Sequence, residues 1–225
     1  MSDTLLSPLQ LRILGTLAEK QHTVPDSYPL SLNALVLGCN QKSARDPLMA
    51  ATDAEVLGAL DALKARNLVI ESSGNRVMRY EHNLARVLRV PSQSVAILAT
   101  LMLRGPQTSA ELRANTERLH RFADISAVEG FLDELAARPE SAGGPLVVRL
   151  PRAPGAREAR WAQLLGGPVE APAPRAAGDA ADALERTGPG VLAALRADQQ
   201  RLQQELVLLR AQVQRLAAEL GVDLH

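Results

Sequence analysis

Aromatic side chains are almost missing from this chain, with one Trp, two Tyr and two Phe among 225 residues. A core without them must be packed from Leu, Val, Ile and Ala, which suits helices better than broad sheets. Cysteine is nearly absent too, and the single Cys39 excludes both an internal disulfide and a thiolate metal cluster. No run of about 18 apolar residues offers a membrane span. Met1 to Gln10 has neither the basic start nor the apolar stretch of a signal peptide, so a cytoplasmic protein without membrane contact is expected. Nor is one sign of charge in excess: 25 basic residues face 25 acidic ones, and no segment is strongly basic. No global field therefore pulls the chain onto a polyanion.

Catalytic patterns are lacking as well. His22, His82, His120 and His225 are scattered, and none has metal-ligand spacing. There is no phosphate-binding glycine loop, nucleophile elbow or HExxH. Cys39 sits in an apolar helical run and reads as a core residue. These absences predict a protein that is not an enzyme, with no metal and no cofactor.

Well-marked helix starts are abundant. Ser7-Pro8-Leu9-Gln10 places a capping Ser, a Pro at the first helical position and a Gln three residues after the cap. Thr52-Asp53-Ala54-Glu55, Thr108-Ser109-Ala110-Glu111 and Ser126-Ala127-Val128-Glu129 repeat the capping-box pattern. Apolar residues follow at helical spacing: Leu11, Leu14 and Leu17; Val56, Leu60 and Leu63; Val128, Leu132 and Leu135. Ser31 is expected to cap a further helix reaching about Cys39. Residues 68–81, LVIESSGNRVMRYE, are two β-rich runs around Ser73-Gly74-Asn75, which is a hairpin signal. Three helices followed by a hairpin read as a winged helix-turn-helix.

The pattern recurs. Ile13-Leu14-Gly15-Thr16-Leu17 matches Ile97-Leu98-Ala99-Thr100-Leu101, and Val56-Leu57-Gly58-Ala59-Leu60-Asp61 matches Val128-Glu129-Gly130-Phe131-Leu132-Asp133. Leu146-Val147-Val148 opens a second hairpin, looped through Pro151–Glu158 and returning at Ala159–Leu165. Residues 166–190 are a linker rich in Ala, Pro and Gly. Leu192, Leu195, Gln199, Leu202, Leu206, Leu209, Val213, Leu216 and Leu220 then step by three and four without a break. That is a coiled-coil seam, which predicts a homodimer. The expected fold is mainly α with small β-hairpins: two tandem winged helix-turn-helix domains, 1–88 and 89–165, then the linker and a C-terminal coiled-coil helix over 191–225.

The run Thr23-Val24-Pro25-Asp26-Ser27-Tyr28-Pro29-Leu30-Ser31-Leu32-Asn33, continued by Cys39-Asn40-Gln41-Lys42-Ser43-Ala44-Arg45-Asp46-Pro47, closely resembles the bacterial YceH-like family. Leu103-Arg104-Gly105-Pro106-Gln107-Thr108 with Glu111-Leu112-Arg113 resembles its second half. The resemblance covers about residues 5–165 and implies a tandem winged-helix protein of uncharacterised function. It implies no enzyme activity or cofactor and carries over no binding residues.

Winged-helix proteins often read DNA with the third helix, whose outward side chains should then be Arg, Lys, Asn or Gln. Burying Val56, Leu60 and Leu63 turns out Ala54, Gly58, Asp61 and Ala65; burying Val128, Phe131, Leu132 and Leu135 turns out Ser126, Gly130, Asp133 and Ala137. Both faces are small and acidic. They suit a protein interface better than a DNA groove, with Gly58, Asp61, Ala65, Gly130, Asp133 and Ala137 as the candidate contacts. The basic residues lie elsewhere, on or beside the hairpins at Arg76, Arg79, Arg149, Arg152, Arg157 and Arg160, and in the first motif at Lys42 and Arg45. These eight are the candidate contacts to a DNA backbone. Two readings stay open: a DNA-associated regulator that touches backbone through its wings, and a protein-interaction module with no direct DNA contact. In either, Leu195, Leu202, Leu206, Leu209, Val213, Leu216 and Leu220 form the dimer seam.

Overall fold

Helices begin where capping residues stand in the computed structural model, which describes residues 5–73 and 77–169. The elements run α1 (Pro8–Thr23), β1 (Leu30–Ser31), α2 (Leu32–Cys39), α3 (Asp53–Ala65), β2 (Val69–Ser73), β3 (Met78–His82), α4 (Leu84–Leu88), α5 (Ser92–Arg104), α6 (Ser109–Thr116), α7 (Ile125–Ala136), β4 (Val147–Arg149) and β5 (Trp161–Gln163). Ser7 with Gln10, Thr52 with Glu55 and Thr108 with Glu111 form reciprocal capping boxes on α1, α3 and α6, and Ser31 caps α2. Helix α7 departs from the expected start. Its cap is Asp124, whose carboxylate accepts from the Ala127 N–H at 2.8 Å, so Ser126 lies inside the first turn. A carboxylate is the stronger acceptor for the free amides of a helix start, and it outcompetes the hydroxyl two residues on.

Two antiparallel sheets accompany the helices. In the first, the order is β1-β3-β2, with Leu30 opposite Tyr80 and Val69 opposite His82. In the second, β4 pairs with β5, placing Arg149 opposite Trp161. Strand β1 was not foreseen from the sequence, because two residues are too few to show alternation. The second sheet has a counterpart in miniature: Gln107 and Trp161 exchange both backbone hydrogen bonds, at 3.0 and 2.7 Å. The order helix, bridging strand, helix, helix, hairpin thus occurs twice. Tyr80 and Trp161, two of the few aromatic residues, are buried at equivalent points of it.

The described residues form one compact unit whose apolar core runs through both halves. The most extensive helix contact is that of α1 with α5. Here the two copies of one sequence motif meet. Ile13, Leu14 and Leu17 on α1 and Ile97, Leu98 and Leu101 on α5 are all buried in the shared core. Gly15 permits the close approach: a Cβ built there would stand 2.8 Å from Leu103 Cγ and 3.2 Å from Met102 Cβ. The expected linker beyond residue 169, the coiled-coil helix and its seam lie outside the described residues, as does the hairpin turn at 74–76.

His82 closes the sheet against α1. Its Nε2 lies 2.8 Å from Gln21 Oε1, while Nδ1 accepts from the Leu84 N–H at 3.3 Å. Hydrogen bonding therefore assigns the neutral ring with its proton on Nε2. Burial, with His22 close by, pushes the imidazole from 6.5 down to about 4. The unfolded chain takes up this proton at a higher pH than the folded one. The contribution of His82 to stability is therefore fully present above about 6.5 and declines as pH falls toward about 4. An NMR titration of the full chain is expected to place the His82 midpoint near 4. A midpoint at the ordinary histidine value would refute this account of the ring.

Candidate functional site

The long connection between α2 and α3, which only the first half has, is held by side chains rather than by regular structure. Asn40 closes it: its Nδ2 donates to Ala51 O and its Oδ1 accepts from Ala51 N, both at 2.8 Å. Inside the loop, Arg45 is turned inward. Its Nη1 and Nη2 donate to the two carboxylate oxygens of Glu19 at 3.1 and 2.6 Å, and its Nε donates to Gly38 O at 3.1 Å. Arg12, 1% exposed in the middle of α1, donates to Cys39 O at 3.0 Å and to Pro47 O at 2.5 Å. The Asp46 N–H donates to Leu103 O at 2.8 Å, which ties the same loop to α5. The opening polar cluster of this loop is thus a set of backbone clamps.

Glu19 is the counter-charge for this region. Burial alone would push its carboxyl up, but the hydrogen bonds and charge of Arg45, with Lys20 beside it, overcome that and hold it below the usual carboxylate range. Neither Arg12 nor Glu19 stood out in the sequence as a partner of the loop. The one signal was a charged residue inside the apolar run Leu11-Arg12-Ile13-Leu14.

The candidate backbone contacts separate into two groups. Arg45 is buried and its donors are taken up within the protein. Arg79 donates to Pro29 O at 2.7 Å, bracing β3 against the chain entering β1. Arg160 donates to Pro106 O at 2.7 Å and pairs with Glu111 at 2.9 Å. Arg149 lies over the Trp161 ring, 5.9 Å from its centroid. Lys42, Arg152 and Arg157 are exposed and have no hydrogen-bond or ion-pair partner among the described residues. Arg76 lies outside the described residues.

The third helices of the two halves, α3 and α7, turn out the residues that the spacing predicts. Val56, Leu60 and Leu63 are buried, as are Val128, Leu132 and Leu135. Phe131 is only partly buried, packing edge-on against Phe122. Gly58, Asp61, Ala65, Gly130, Asp133 and Ala137 are all exposed. The Asp61 carboxylate is 72% exposed and pairs with Lys64 at 3.0 Å, while Lys64 also binds Glu71 on β2. The two faces differ between these matches, where exposed Leu57 and Ala62 in α3 correspond to Glu129 and Glu134 in α7, and Ala54 corresponds to Ser126.

Cys39 has the chemistry of a core residue. Burial pushes its thiol up to about 11, although its Sγ lies 3.8 Å from Thr16 Oγ1. A thiol so placed is not a nucleophile at neutral pH. Among the described residues no three His, Cys, Asp or Glu side chains gather as metal ligands, and no helix is long and apolar enough to cross a membrane.

Two like halves on a shared helical core, with small antiparallel sheets and an arginine-clamped loop, define an α+β protein. The chain belongs to the family described as "Protein of unknown function, DUF480", whose model matches residues 6–156. It is 67% identical over 219 residues to a UPF0502 protein of Methylibium petroleiphilum, an alignment covering 97% of this chain and 91% of the relative. A UPF0502 protein of Leptothrix cholodnii is 61% identical, with 97% of each chain covered. One from Burkholderia vietnamiensis is 59% identical, covering 97% of this chain and 90% of the relative. This is the uncharacterised bacterial family that the residues around Tyr28 and Arg45 resemble.

Proposed function

We propose that the chain is a tandem winged-helix protein that acts without catalysis, by presenting the outward faces of α3 and α7 to a protein partner. The observation that carries this reading is the match between the two faces. Gly58 and Gly130, Asp61 and Asp133, and Ala65 and Ala137 are exposed at corresponding places. Among the described residues nothing stands within 4 Å of a Cβ built at Gly58 or Gly130, so their packing does not require glycine at either. Small residues let another backbone approach closely, and the carboxylates favour a partner with donors or positive charge. On a helix meant for a DNA groove the same carboxylates would repel phosphate.

A second reading has its own support. Arg152 and Arg157 stand exposed in the loop between β4 and β5, without an ion-pair partner among the described residues, at a place from which a wing can touch a DNA backbone. Dimerisation through the seam of Leu195, Leu202, Leu206, Leu209, Val213, Leu216 and Leu220 would double either surface. Analytical ultracentrifugation of the full chain is expected to show a dimer that Leu202→Asp with Leu209→Asp converts to monomer. A wild-type monomer would remove the seam from the proposal.

The two readings separate in one comparison. A photo-crosslinking amino acid at Ala65 or Ala137 of the full chain, expressed in a bacterial host, is expected to trap a discrete protein adduct. Asp61→Arg with Asp133→Arg should abolish it. In parallel, duplex DNA at low salt is expected to bind no more tightly to wild type than to Arg152→Ala with Arg157→Ala. Absence of the adduct, together with DNA affinity that falls at least about tenfold in the arginine variant, would replace the first reading with the second.

A further inference from the structure

The loop that Arg45 clamps also forms one wall of a cleft. A cavity of about 220 Å³ opens between this loop, the last turns of α1 and α5, and the end of α6. Its charged lining is lopsided. Lys20, Arg104 and Arg118 all border it, and the carboxylate that does so, Glu19, is shared by Arg45 at 2.6 Å and Lys20 at 3.5 Å, while Lys20 also donates to Gln41 Oε1 at 3.2 Å. The cleft therefore carries an excess of positive charge without any residue on its lining left to balance it.

Arg104 is the telling residue. Arg45, Arg79 and Arg138, which are likewise withdrawn from solvent at least in part, donate to carbonyls or a carboxylate of the protein. Arg12 does so through both Nη atoms, although its Nε is left without a partner among the described residues. Arg104 is partly buried and has no such partner among the described residues, and neither has the more exposed Arg118. Solvent reaches these guanidinium groups, so their donors are uncommitted and open to an anion that enters the cleft. Neutral donors are also on hand. Ser43 Oγ accepts from Gln41 Nε2 at 3.0 Å, which leaves its own proton free to donate, and Asn115 spends one amide hydrogen on Gln107 Oε1 at 2.6 Å.

We propose that this cleft binds a small phosphate monoester. The two uncommitted guanidinium groups, Arg104 and Arg118, match a group of charge about −1.5 to −2, where a carboxylate would leave one of them unanswered. The planar fork of arginine suits phosphate oxygens, and the remaining donors suit the third oxygen. A cavity of about 220 Å³ is below the usual range for drug-sized ligands, which favours a compact molecule and leaves no room for a duplex. The walls come from both halves of the chain, α1 and the loop on one side and α5 and α6 on the other. Occupancy would therefore fasten the two halves together. This inference does not depend on which macromolecule the third helices meet.

The test uses the full chain with inorganic phosphate and ribose 5-phosphate as probes and acetate as control, all at constant ionic strength. Both phosphates are expected to give saturable heat by calorimetry and a concentration-dependent rise in Tm, while acetate gives neither. Arg104→Gln and Arg118→Gln are each expected to weaken binding at least about tenfold. Arg152→Gln with Arg157→Gln should leave it unchanged. If Arg104→Gln lowers the ligand-free Tm, the exposed Arg118→Gln decides the matter alone. No saturable binding of phosphate beyond that of acetate would overturn the proposal, as would equal losses in the Arg152/Arg157 variant. Displacement of ribose 5-phosphate by duplex DNA would overturn it too, by making the cleft part of a nucleic-acid surface.

Discussion

Glu19→Gln is expected to lower the stability of the full chain by about 3 kcal/mol at neutral pH, the typical result of removing one member of a buried ion pair. Both carboxylate oxygens accept from Arg45, whose side chain is fully withdrawn from solvent. The isosteric amide keeps one acceptor but places an N–H against the other guanidinium nitrogen. It also removes the charge that offsets the buried Arg45 and the neighbouring Lys20. The loss is therefore mostly the desolvation of guanidinium left unanswered, and less the strength of the pair itself. The pH dependence separates these causes. The Glu19 carboxyl is held below its ordinary value of 4.5, so the folded chain binds this proton less readily than the unfolded one. The stabilisation is fully present above that ordinary value and is lost as pH falls through the depressed folded one. In urea unfolding, the difference between wild type and Glu19→Gln should accordingly be widest near neutrality and narrow in acid. A loss under about 1 kcal/mol, or one that does not change with pH, would mean that the clamp is held by the carbonyl contacts alone.

Gly15→Val should be nearly as costly, about 2–3 kcal/mol, through overpacking of the α1–α5 seam. The first added carbon would already meet Leu103 Cγ at 2.8 Å and Met102 Cβ at 3.2 Å, and the two further methyls have nowhere to go. Leu103 and Met102 are themselves buried, so they cannot yield by swinging into solvent. Gly58→Ala is the matching control, because a Cβ there enters open space. It should gain about 0.5–1 kcal/mol from helix propensity. Chemical denaturation of the two variants beside wild type measures both. Equal stability of Gly15→Val and wild type would show that the seam is loosely packed.

What the sequence made legible was whatever depends on near neighbours. Three capping boxes, the buried stripes of α3 and α7 and the small acidic faces opposite them all follow from spacing within one helix, and they appear where spacing puts them. Even the failure at α7 is local, a contest between Asp124 and Ser126 for the same free amides. Arg45 was opaque for a different reason. In a polar loop an arginine reads as solvated. Only the fold shows that Glu19, 26 residues earlier, has turned it inward. The internal contacts of Arg79 and Arg160 were hidden for the same reason, since their acceptors Pro29 and Pro106 lie 50 and 54 residues off. Strand β1 has no pattern of its own and exists because β3 offers it an edge.

The seam between α1 and α5 places related motifs face to face, as the two subunits of a symmetric dimer do at their axis. In such a dimer every substitution is made twice, once on each side, so both sides must tolerate it. Joined in one chain, the two sides are freed from that constraint. Gly15 on one helix and Ala99 on the other show the difference, since the side that must admit Leu103 carries no Cβ while its counterpart keeps one. The same freedom extends to the surfaces that the seam holds apart. One half could acquire a long clamped loop and an exposed Leu57, while the other kept a short connection and Glu129. A contact between like helices within one chain is thus a scaffold on which two faces can differ.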